Sequence, residues 1–171
     1  MIKYEKVELV PIEMEDLELL KKWKNDDEVF KYLGGGYRPI SEIQAQKWLE
    51  SLINNNYQYQ RFMIKNDKKI GFIGLYNISE VNRTAELGIY IGEKEYQGKG
   101  YAKMAYKALE KYAKDWLNIR KIKLDVVKDN VRAIKLYEKL DFKVCGNMEL
   151  DRFVEGKYRD VVMMEKFIDV N

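Results

Sequence analysis

The chain has 171 residues, 46% apolar and 35% charged, a composition that fits a soluble globular domain with a core of its own. Its 31 basic and 28 acidic residues leave a net charge of +3 without a long run of one sign, so neither a nucleic-acid partner nor a membrane-surface partner is expected. Histidine is absent, which excludes Ser-His-Asp and Cys-His nucleophilic pairs, and with a single cysteine no metal site is expected.

Nothing in the sequence divides the chain or directs it to a membrane. No apolar run approaches the roughly 18 residues that cross a bilayer, and residues 1–6 are too polar for a secretory signal. We therefore expect a single domain over residues 1–171, located in the cytoplasm. The lone cysteine, Cys145, lies in a stretch that reads as a strand, where we expect it to be a small core residue.

The N-terminal half is predicted to form a strand, two helices and a hairpin. In chain order these elements cover residues 7–12, about 13–24, 41–54, and the hairpin arms 61–65 and 69–78. Acidic residues at 13–16 favour the positive end of the first helix, and Ser41 is the expected N-cap of the second. The glycine-rich residues 32–39 between the helices predict a flexible loop.

The C-terminal half is predicted to alternate strands with helices before a closing hairpin. In chain order these are strand 86–91, helix 101–116, strand 121–126, a helix from Val131, and hairpin arms 142–154 and 157–168 joined near Gly156. Because a helix separates the two strands, they should pair in parallel, with a ligand beyond their carboxyl ends. The helix at residues 101–116 should bury one face, formed by Met104, Ala105, Ala108, Leu109, Tyr112 and Trp116.

A glycine turn joins the first of these strands to its helix. Its residues are Gln97, Gly98, Lys99, Gly100, Tyr101 and Ala102. The first N–H groups of a helix have no partner inside the helix, so they attract anions, and glycines let a phosphate approach the main chain. Lys99 would add a cation beside it. Taken alone, such a turn is more often an ordinary strand-to-helix connection.

A second motif follows the next strand and gives the turn its context. Residues 130–142 read N-V-R-A-I-K-L-Y-E-K-L-D-F, and residues 97–102 read Q-G-K-G-Y-A. Together they resemble the GNAT (GCN5-related) N-acetyltransferase superfamily, with its Q-x-x-G-x-G acetyl-CoA turn and its N-x-x-A-x-x-L-Y-x-K-x-G-F helix. Looser similarity at residues 23–26, 32–33 and 156–160 points to the ribosomal-protein-alanine and spermidine N-acetyltransferase branches.

Two positions depart from the family pattern. The glycine directly after Gln97 is a common family form, and Asp141 is the larger departure. Asp141 stands where the family usually has glycine, at the end of the helix, in a position that needs a left-handed backbone. Asp tolerates that conformation better than most residues, so we expect the fold to persist with slight local strain.

The resemblance implies both a fold and a reaction. The expected α/β (α+β) fold has a central mixed, mostly antiparallel sheet of about seven strands, a parallel pair splayed at the coenzyme site, and about four flanking helices. The expected reaction transfers an acetyl group from acetyl-CoA, as cosubstrate, to a primary amine by direct attack in a ternary complex. No metal is implied.

The resemblance also assigns site residues. Tyr137 matches the family's general acid, and Glu86 matches the residue that accepts the amine proton in several members. The residues implied in coenzyme binding are Ile89, Tyr90, Ile91, Gln97, Gly98, Lys99, Gly100, Tyr101, Ala102, Asn130 and Tyr137. Three of these residues also have a simpler explanation. Tyr137 is one of thirteen tyrosines, Glu86 resembles an ordinary exposed residue at a strand start, and Asn130 is a good helix cap.

The resemblance is compatible with several classes of acceptor. A polyamine or a protein N-terminus is favoured over an amino sugar or aminoglycoside, and a coenzyme-binding module without catalysis remains a separate class. Asp26, Asp27 and Glu28 would attract a cationic amine, although a solvated helix terminus explains them as well. The cleft-lining candidates are Tyr32, Arg38, Trp48 and Tyr158. A homodimer is also considered.

Overall fold

A single mixed sheet runs through the protein, whose structure is a computed structural model that describes residues 1–169. Its strands are β1 (Ile2–Tyr4), β2 (Val7–Val10), β3 (Gln60–Lys65), β4 (Lys69–Ser79), β5 (Thr84–Ile91), β6 (Lys121–Val127), β7 (Lys143–Val154) and β8 (Lys157–Phe167). They lie in the order β1-β2-β3-β4-β5-β6-β8-β7. All neighbours are antiparallel except β5 and β6, which are parallel. The predicted mixed, mostly antiparallel sheet with one parallel pair is confirmed; it has eight strands, because residues 2–4 add an edge strand.

Helices cover both faces of this sheet. They are α1 (Leu17–Lys24), α2 (Asp27–Phe30), α3 (Glu42–Ile53), α4 (Tyr101–Leu117) and α5 (Val131–Lys139), with short 3-10 turns at Met14–Asp16 and Lys94–Tyr96. The one-turn α2 is absent from the sequence prediction. Ser41 caps α3 as expected, because its side chain accepts from the Gln44 N–H while the Gln44 side chain accepts from the Ser41 N–H. Among residues 1–169 there is no helix of the length and apolarity needed to span a bilayer.

The core consists of two hydrophobic clusters, one on each face. Helices α4 and α5 pack on one face, with Ala105, Leu109 and Tyr137 in its cluster. Helices α1 and α3 pack on the other, with Trp23 and Leu49 in its cluster. The sheet is therefore a middle layer that separates two helical layers, and a ligand that reaches both sides must pass where two strands part.

Two buried positions were predicted wrongly. Cys145 is exposed rather than a core residue, because it lies on β7, an edge strand whose side chains are mostly solvent-exposed. Trp116 is 80% exposed although it has the right angular position on α4. Helical periodicity gives the direction around the axis, but it does not show how far the neighbouring elements extend along that axis.

Asp141 takes the backbone conformation expected for it. Its φ of 68° is left-handed. The Phe142 N–H donates to the Tyr137 carbonyl at 3.0 Å and the Asp141 N–H donates to the Glu138 carbonyl at 3.0 Å, which is the Schellman arrangement that ends many helices. Helix α5 therefore ends as the family's glycine would end it, and the chain turns into β7.

Candidate active site

The sheet opens between its two parallel strands. Pairing of β5 with β6 is limited to three residue pairs, from Thr84 with Lys121 to Glu86 with Lys123, although β5 continues to Ile91. The other side of β5 stays paired with β4 as far as Ile91 with Gly71. Beyond Glu86 the backbone groups of β5 that face β6 therefore have no strand partner among the described residues. This stretch contains residues 89–91, which were predicted to bind the coenzyme.

The glycine turn presents free amides beside this opening. Gly98 and Gly100 have φ values of 71° and 85°, a region that disfavours residues with a Cβ atom. Within residues 1–169 the backbone N–H groups of residues 98–103 donate to no protein acceptor, and the first bond of α4 runs from the Met104 N–H to the Gly100 carbonyl at 3.1 Å. Because the helix dipole adds positive charge there, the turn can bind an anion such as a pyrophosphate.

Gln97 and Arg132 connect this turn to the elements around it. Gln97 Nε2 donates to the Ile91 carbonyl at 2.9 Å, and Arg132 Nη1 donates to Gln97 Oε1 at 3.5 Å. Lys99 is exposed at the tip of the turn. No sequence motif indicated Arg132, because its proximity to the turn depends on the packing of α5 beside α4.

A separate set of contacts ties the end of β5 to helix α1. A Cβ atom added to Gly92 would come within 2.2 Å of the Trp23 ring, so the indole lies against the bare backbone at the end of β5. Trp23 Nε1 and Lys22 Nζ both donate to the buried Glu93 carboxylate at 2.8 Å. Burial alone would raise the Glu93 pKa, but the hydrogen bonds from Lys22 and Trp23 outweigh it and lower the pKa. Gly92 and Glu93 are further positioning residues that no sequence motif indicated.

Tyr137 lies on α5 as a protonated hydroxyl. The residue is 7% exposed and packs against Phe142 with ring centroids 5.7 Å apart. Burial raises the pKa of Tyr137 to about 12, so its phenol keeps its proton at neutral pH. The hydroxyl has no hydrogen-bond partner among the described residues, yet it is not among the side-chain atoms closed off from solvent. It is free to donate to a ligand.

Glu86 occupies the last paired position before the strands part. It is half-buried, lies opposite Tyr76 on β4 and Lys123 on β6, and makes no ion pair with a described residue. Ala85 and Leu87 face the α4 side, so Glu86 faces the opposite side of the sheet by strand alternation. Tyr137 belongs to the α4 side. The candidate acid and base therefore lie on opposite faces, with the opening between them.

Asn130 and Tyr90, two of the proposed coenzyme-binding residues, also stabilise the fold. The Asn130 side-chain oxygen accepts from the Ala133 N–H at 3.3 Å, so it caps α5 and leaves its NH₂ group for a ligand. The Tyr90 hydroxyl is buried and has no hydrogen-bond partner among residues 1–169, and its ring stacks on Phe72 with centroids 5.5 Å apart. Tyr90 can therefore contact a ligand at the opening through its backbone, while its side chain belongs to the core.

The acidic group at the start of α2 is largely occupied by protein partners. Asp26 accepts from the Glu28 N–H at 3.0 Å and pairs with Lys94 at 2.8 Å, and the Lys94 hydrogen bond lowers the Asp26 pKa. Glu28 pairs with Lys31 at 3.1 Å, and Asp27 is exposed. These contacts favour the interpretation of the group as a helix terminus.

The cleft candidates are only partly brought together. Arg152 on β7 donates to the carbonyls of Tyr32 and Leu33 at 3.4 and 3.5 Å, so the closing hairpin touches the loop after α2. Trp48 packs against Phe30, with ring centroids 6.2 Å apart. Tyr158 is 65% exposed and its ring packs against Phe153 on the hairpin. Within residues 1–169 there is no cluster of three side chains suited to hold a metal.

Comparison with known proteins agrees with this geometry. The family model described as "Acetyltransferase (GNAT) domain" matches residues 6–143. Spermidine N(1)-acetyltransferase of Escherichia coli strain K12 is 35% identical over 160 residues, covering 92% of this chain and 84% of the relative. The enzyme of the same name from Vibrio cholerae serotype O1 is 30% identical over 156 residues, covering 90% and 88%.

A solved structure gives the same result for the fold. The crystal structure of spermidine N-acetyltransferase from Vibrio cholerae in complex with CoA and spermine superimposes with a TM-score of 0.85 at 29% identity, covering 95% of this chain and 96% of that one. The resemblance that the two motifs predicted is thus confirmed over nearly the whole chain. The chain belongs to the GNAT acetyltransferase family, as an N-acetyltransferase that uses acetyl-CoA.

Proposed function

We propose that this acetyltransferase acts on a primary amine of a polyamine, with spermidine as the first acceptor to test. The observation that carries the proposal is the opening between β5 and β6 beside a turn of unpartnered amides, in a chain whose relatives include spermidine N(1)-acetyltransferases. A protein N-terminus is the second candidate acceptor, since it is also a primary amine.

The turn and its neighbours are proposed to hold the coenzyme. The amides of residues 98–103 would donate to the pyrophosphate, and Lys99 and Arg132 would add charge. The free backbone groups of Ile89, Tyr90 and Ile91 would bind the pantetheine arm, and the Asn130 NH₂ group would help. Gln97 would act by holding the turn against β5. Acetyl-CoA supplies the thioester carbonyl carbon that the amine attacks.

The proposed transfer is a direct one. The amine nitrogen forms a bond to the carbonyl carbon, and the carbon–sulfur bond breaks. A backbone N–H of the 89–91 stretch would donate to the carbonyl oxygen as its negative charge grows. Glu86, directly or through water, would accept the proton that the amine loses. Tyr137 would donate its proton to the departing thiolate.

The acidity of Tyr137 is compatible with this role. With the pKa of Tyr137 at about 12 and that of a thiol at about 8.5, the proton transfer is uphill by about 5 kcal/mol. An enzyme that turns over about ten times per second works against a barrier of about 16 kcal/mol. Proton donation from Tyr137 therefore fits within the barrier of an ordinary enzyme.

We also propose that residues 1–171 form one domain, that the protein works in the cytoplasm, and that two copies associate. The family match ends at residue 143, but the hairpin beyond it pairs with β6 in the same sheet, which supports one domain. Size-exclusion chromatography with light scattering would test the association, and a monomer at micromolar concentration would contradict it.

An amine panel tests the function. Free thiol release from acetyl-CoA is measured with spermidine, spermine, putrescine, a peptide with a free N-terminus, glucosamine and an aminoglycoside. Spermidine-dependent release with the highest kcat/KM of the panel is expected. A higher kcat/KM for the peptide or for one of the sugars would contradict the polyamine proposal and identify that compound class as the acceptor. Coenzyme binding without release for any amine would indicate a binding module that has lost catalysis.

A further inference from the structure

The ammonium of Lys24 lies in a pocket made of two aromatic rings. Lys24 Nζ is 4.4 Å from the centroid of the Phe30 ring and 5.6 Å from that of Trp48. The two rings stand at 80° to each other, so they enclose the ammonium from two directions. Aromatic faces attract any ammonium placed over them, whether it belongs to a lysine or to a ligand. We refer to Phe30 and Trp48 as the ammonium pocket.

Lys24 occupies this pocket without a carboxylate partner among the residues that the structure describes. The two other lysines of α1 have one: Lys21 pairs with Glu18 and Glu42, and Lys22 pairs with Glu93. For Lys24, no hydrogen bond or ion pair joins the ammonium to any residue between 1 and 169. Burial, together with the nearby positive charge of Arg38, lowers the Lys24 pKa. The rings alone hold this ammonium, so another ammonium can compete for its place.

The surroundings give the Lys24 side chain room to leave. A Cβ atom added to Gly35 would have only Lys24 Nζ near it, at 3.9 Å, and one added to Gly34 would meet nothing within 4 Å. The lysine stem has four rotatable methylene groups. The space beside Gly34 and Gly35, next to the ammonium, is therefore open.

The pocket also adjoins the reaction centre. The Phe30 ring packs on the Tyr90 ring with centroids 5.1 Å apart, and Tyr90 lies on β5 where the sheet opens. One aromatic ring therefore separates the pocket from the strand at which the acetyl group would be transferred. A polyamine whose terminal amine reacts there carries its next ammonium a few bonds away.

We propose that Phe30 and Trp48 bind the second ammonium of a polyamine acceptor, and that Lys24 fills this subsite until the acceptor displaces it. The inference rests on the proposed polyamine function. In this arrangement Lys24 sets a threshold: a diamine or triamine gains the pocket, whereas an amine with a single ammonium does not. Acceptors with several ammonium groups are thereby selected, because only they can replace the Lys24 ammonium at the two rings while their reacting amine is in place.

Substitution of the lysine tests the displacement. Lys24→Met keeps the length of the side chain but removes the charge, so KM for spermidine should fall at least threefold, whereas KM for n-propylamine should stay within twofold. Lys47→Met is the matched control, since Lys47 is exposed, lies next to Trp48 in sequence, and makes no ion pair within the described part of the chain. An unchanged KM for spermidine, or an equal fall with Lys47→Met, would overturn the proposal.

Substitution of the ring tests the pocket itself. Trp48→Leu should raise KM for spermidine at least fivefold and leave KM for n-propylamine and the Kd for CoA within twofold. Equal effects on both amines would mean that the indole only supports the fold.

A binding experiment separates this inference from the proposed function. Tetramethylammonium, which cannot be acetylated, is titrated into the CoA complex while the NMR signal of the Trp48 indole N–H is followed. The signal should shift at lower concentration in Lys24→Met than in the wild type. If no amine is acetylated, the proposed function fails, and this titration still decides the pocket: equal titration curves would overturn it.

Discussion

Arg132 lies over Gly98: a Cβ atom added to this glycine would come within 3.1 Å of Arg132 Nη2. The same guanidinium reaches Gln97 through Nη1. Helix α5 therefore brings a cation to the turn at the N-terminus of α4, whose amides have no acceptor within residues 1–169. Free N–H donors and an adjacent arginine are the groups that bind a pyrophosphate most strongly.

Gly98→Ala should weaken coenzyme binding. The φ of 71° is costly for alanine, and the added methyl group would press on Arg132. We expect the Kd for CoA, measured by calorimetry, to rise about tenfold, which corresponds to about 1.4 kcal/mol. Gly156→Ala is the matched control, because Gly156 has a φ of 78° but open space around it and lies in the turn between β7 and β8. That variant should lose stability alone; an equal loss of CoA affinity would contradict the role of the turn.

Arg132→Gln should weaken CoA binding through loss of charge. Hydrogen bonds to charged groups are worth about 1.5–3 kcal/mol, so a Kd increase of about tenfold or more is expected. Lys135→Gln, one turn further along the exposed side of α5, should change Kd less than twofold. Measurements at two salt concentrations should show a weaker salt dependence for Arg132→Gln than for the wild type. Similar Kd values for both variants would remove Arg132 from the coenzyme site.

Sequence patterns predicted those parts of the site that do not depend on contacts between distant side chains. The turn at residues 97–102 and the Asn130 cap are determined by residues close together in the chain, whereas the parallel pair follows from the helix that separates its two strands. The structure has all three. The contacts of Arg132 with Gly98 and of Trp23 with Gly92 join residues far apart in sequence. Pattern reasoning has no access to such contacts, because they arise only when separate elements pack.

The two misplaced side chains have the same cause. Cys145 and Trp116 fit strand and helix patterns, but burial depends on what lies beside the element. An edge strand has one neighbour, and the end of a helix can extend past the layer it covers. The acidic residues Asp26 and Glu28 looked available for a cationic ligand in the sequence. In the structure they form ion pairs with Lys94 and Lys31 of the protein itself.

Tyr137→Phe should lower kcat about a hundredfold, the lower range for loss of a general acid. CoA affinity should be nearly unchanged, because only the hydroxyl is removed. Tyr57→Phe, at a tyrosine that is 71% exposed, is the control and should keep full kcat. Single-turnover kinetics with saturating acceptor would check that chemistry, rather than product release, has slowed. A wild-type rate would remove Tyr137 from the acid role.

The pH profile gives a separate test of Tyr137. Since burial raises its pKa to about 12, the phenol stays protonated at every pH below that value. Ionisation of Tyr137 should therefore cause no fall in kcat between pH 7 and pH 10. Any fall in this range should persist in Tyr137→Phe. A descending limb near pH 9 that disappears in this variant would mean that the hydroxyl titrates in a more polar environment.

Glu93→Gln should destabilise the protein in a pH-dependent way. The hydrogen bonds from Lys22 and Trp23 hold the Glu93 pKa below its ordinary 4.5 in the folded state, so the carboxylate contributes stability above pH 4.5 and loses it as pH falls through the lower folded pKa. At pH 7 the variant should lose about 1–3 kcal/mol in urea unfolding, and the difference should shrink toward pH 3. Glu95→Gln, at an exposed neighbour, should show a much smaller difference. A difference for Glu93→Gln that stays constant with pH would mean that packing, rather than the charge held between α1 and the end of β5, accounts for the loss.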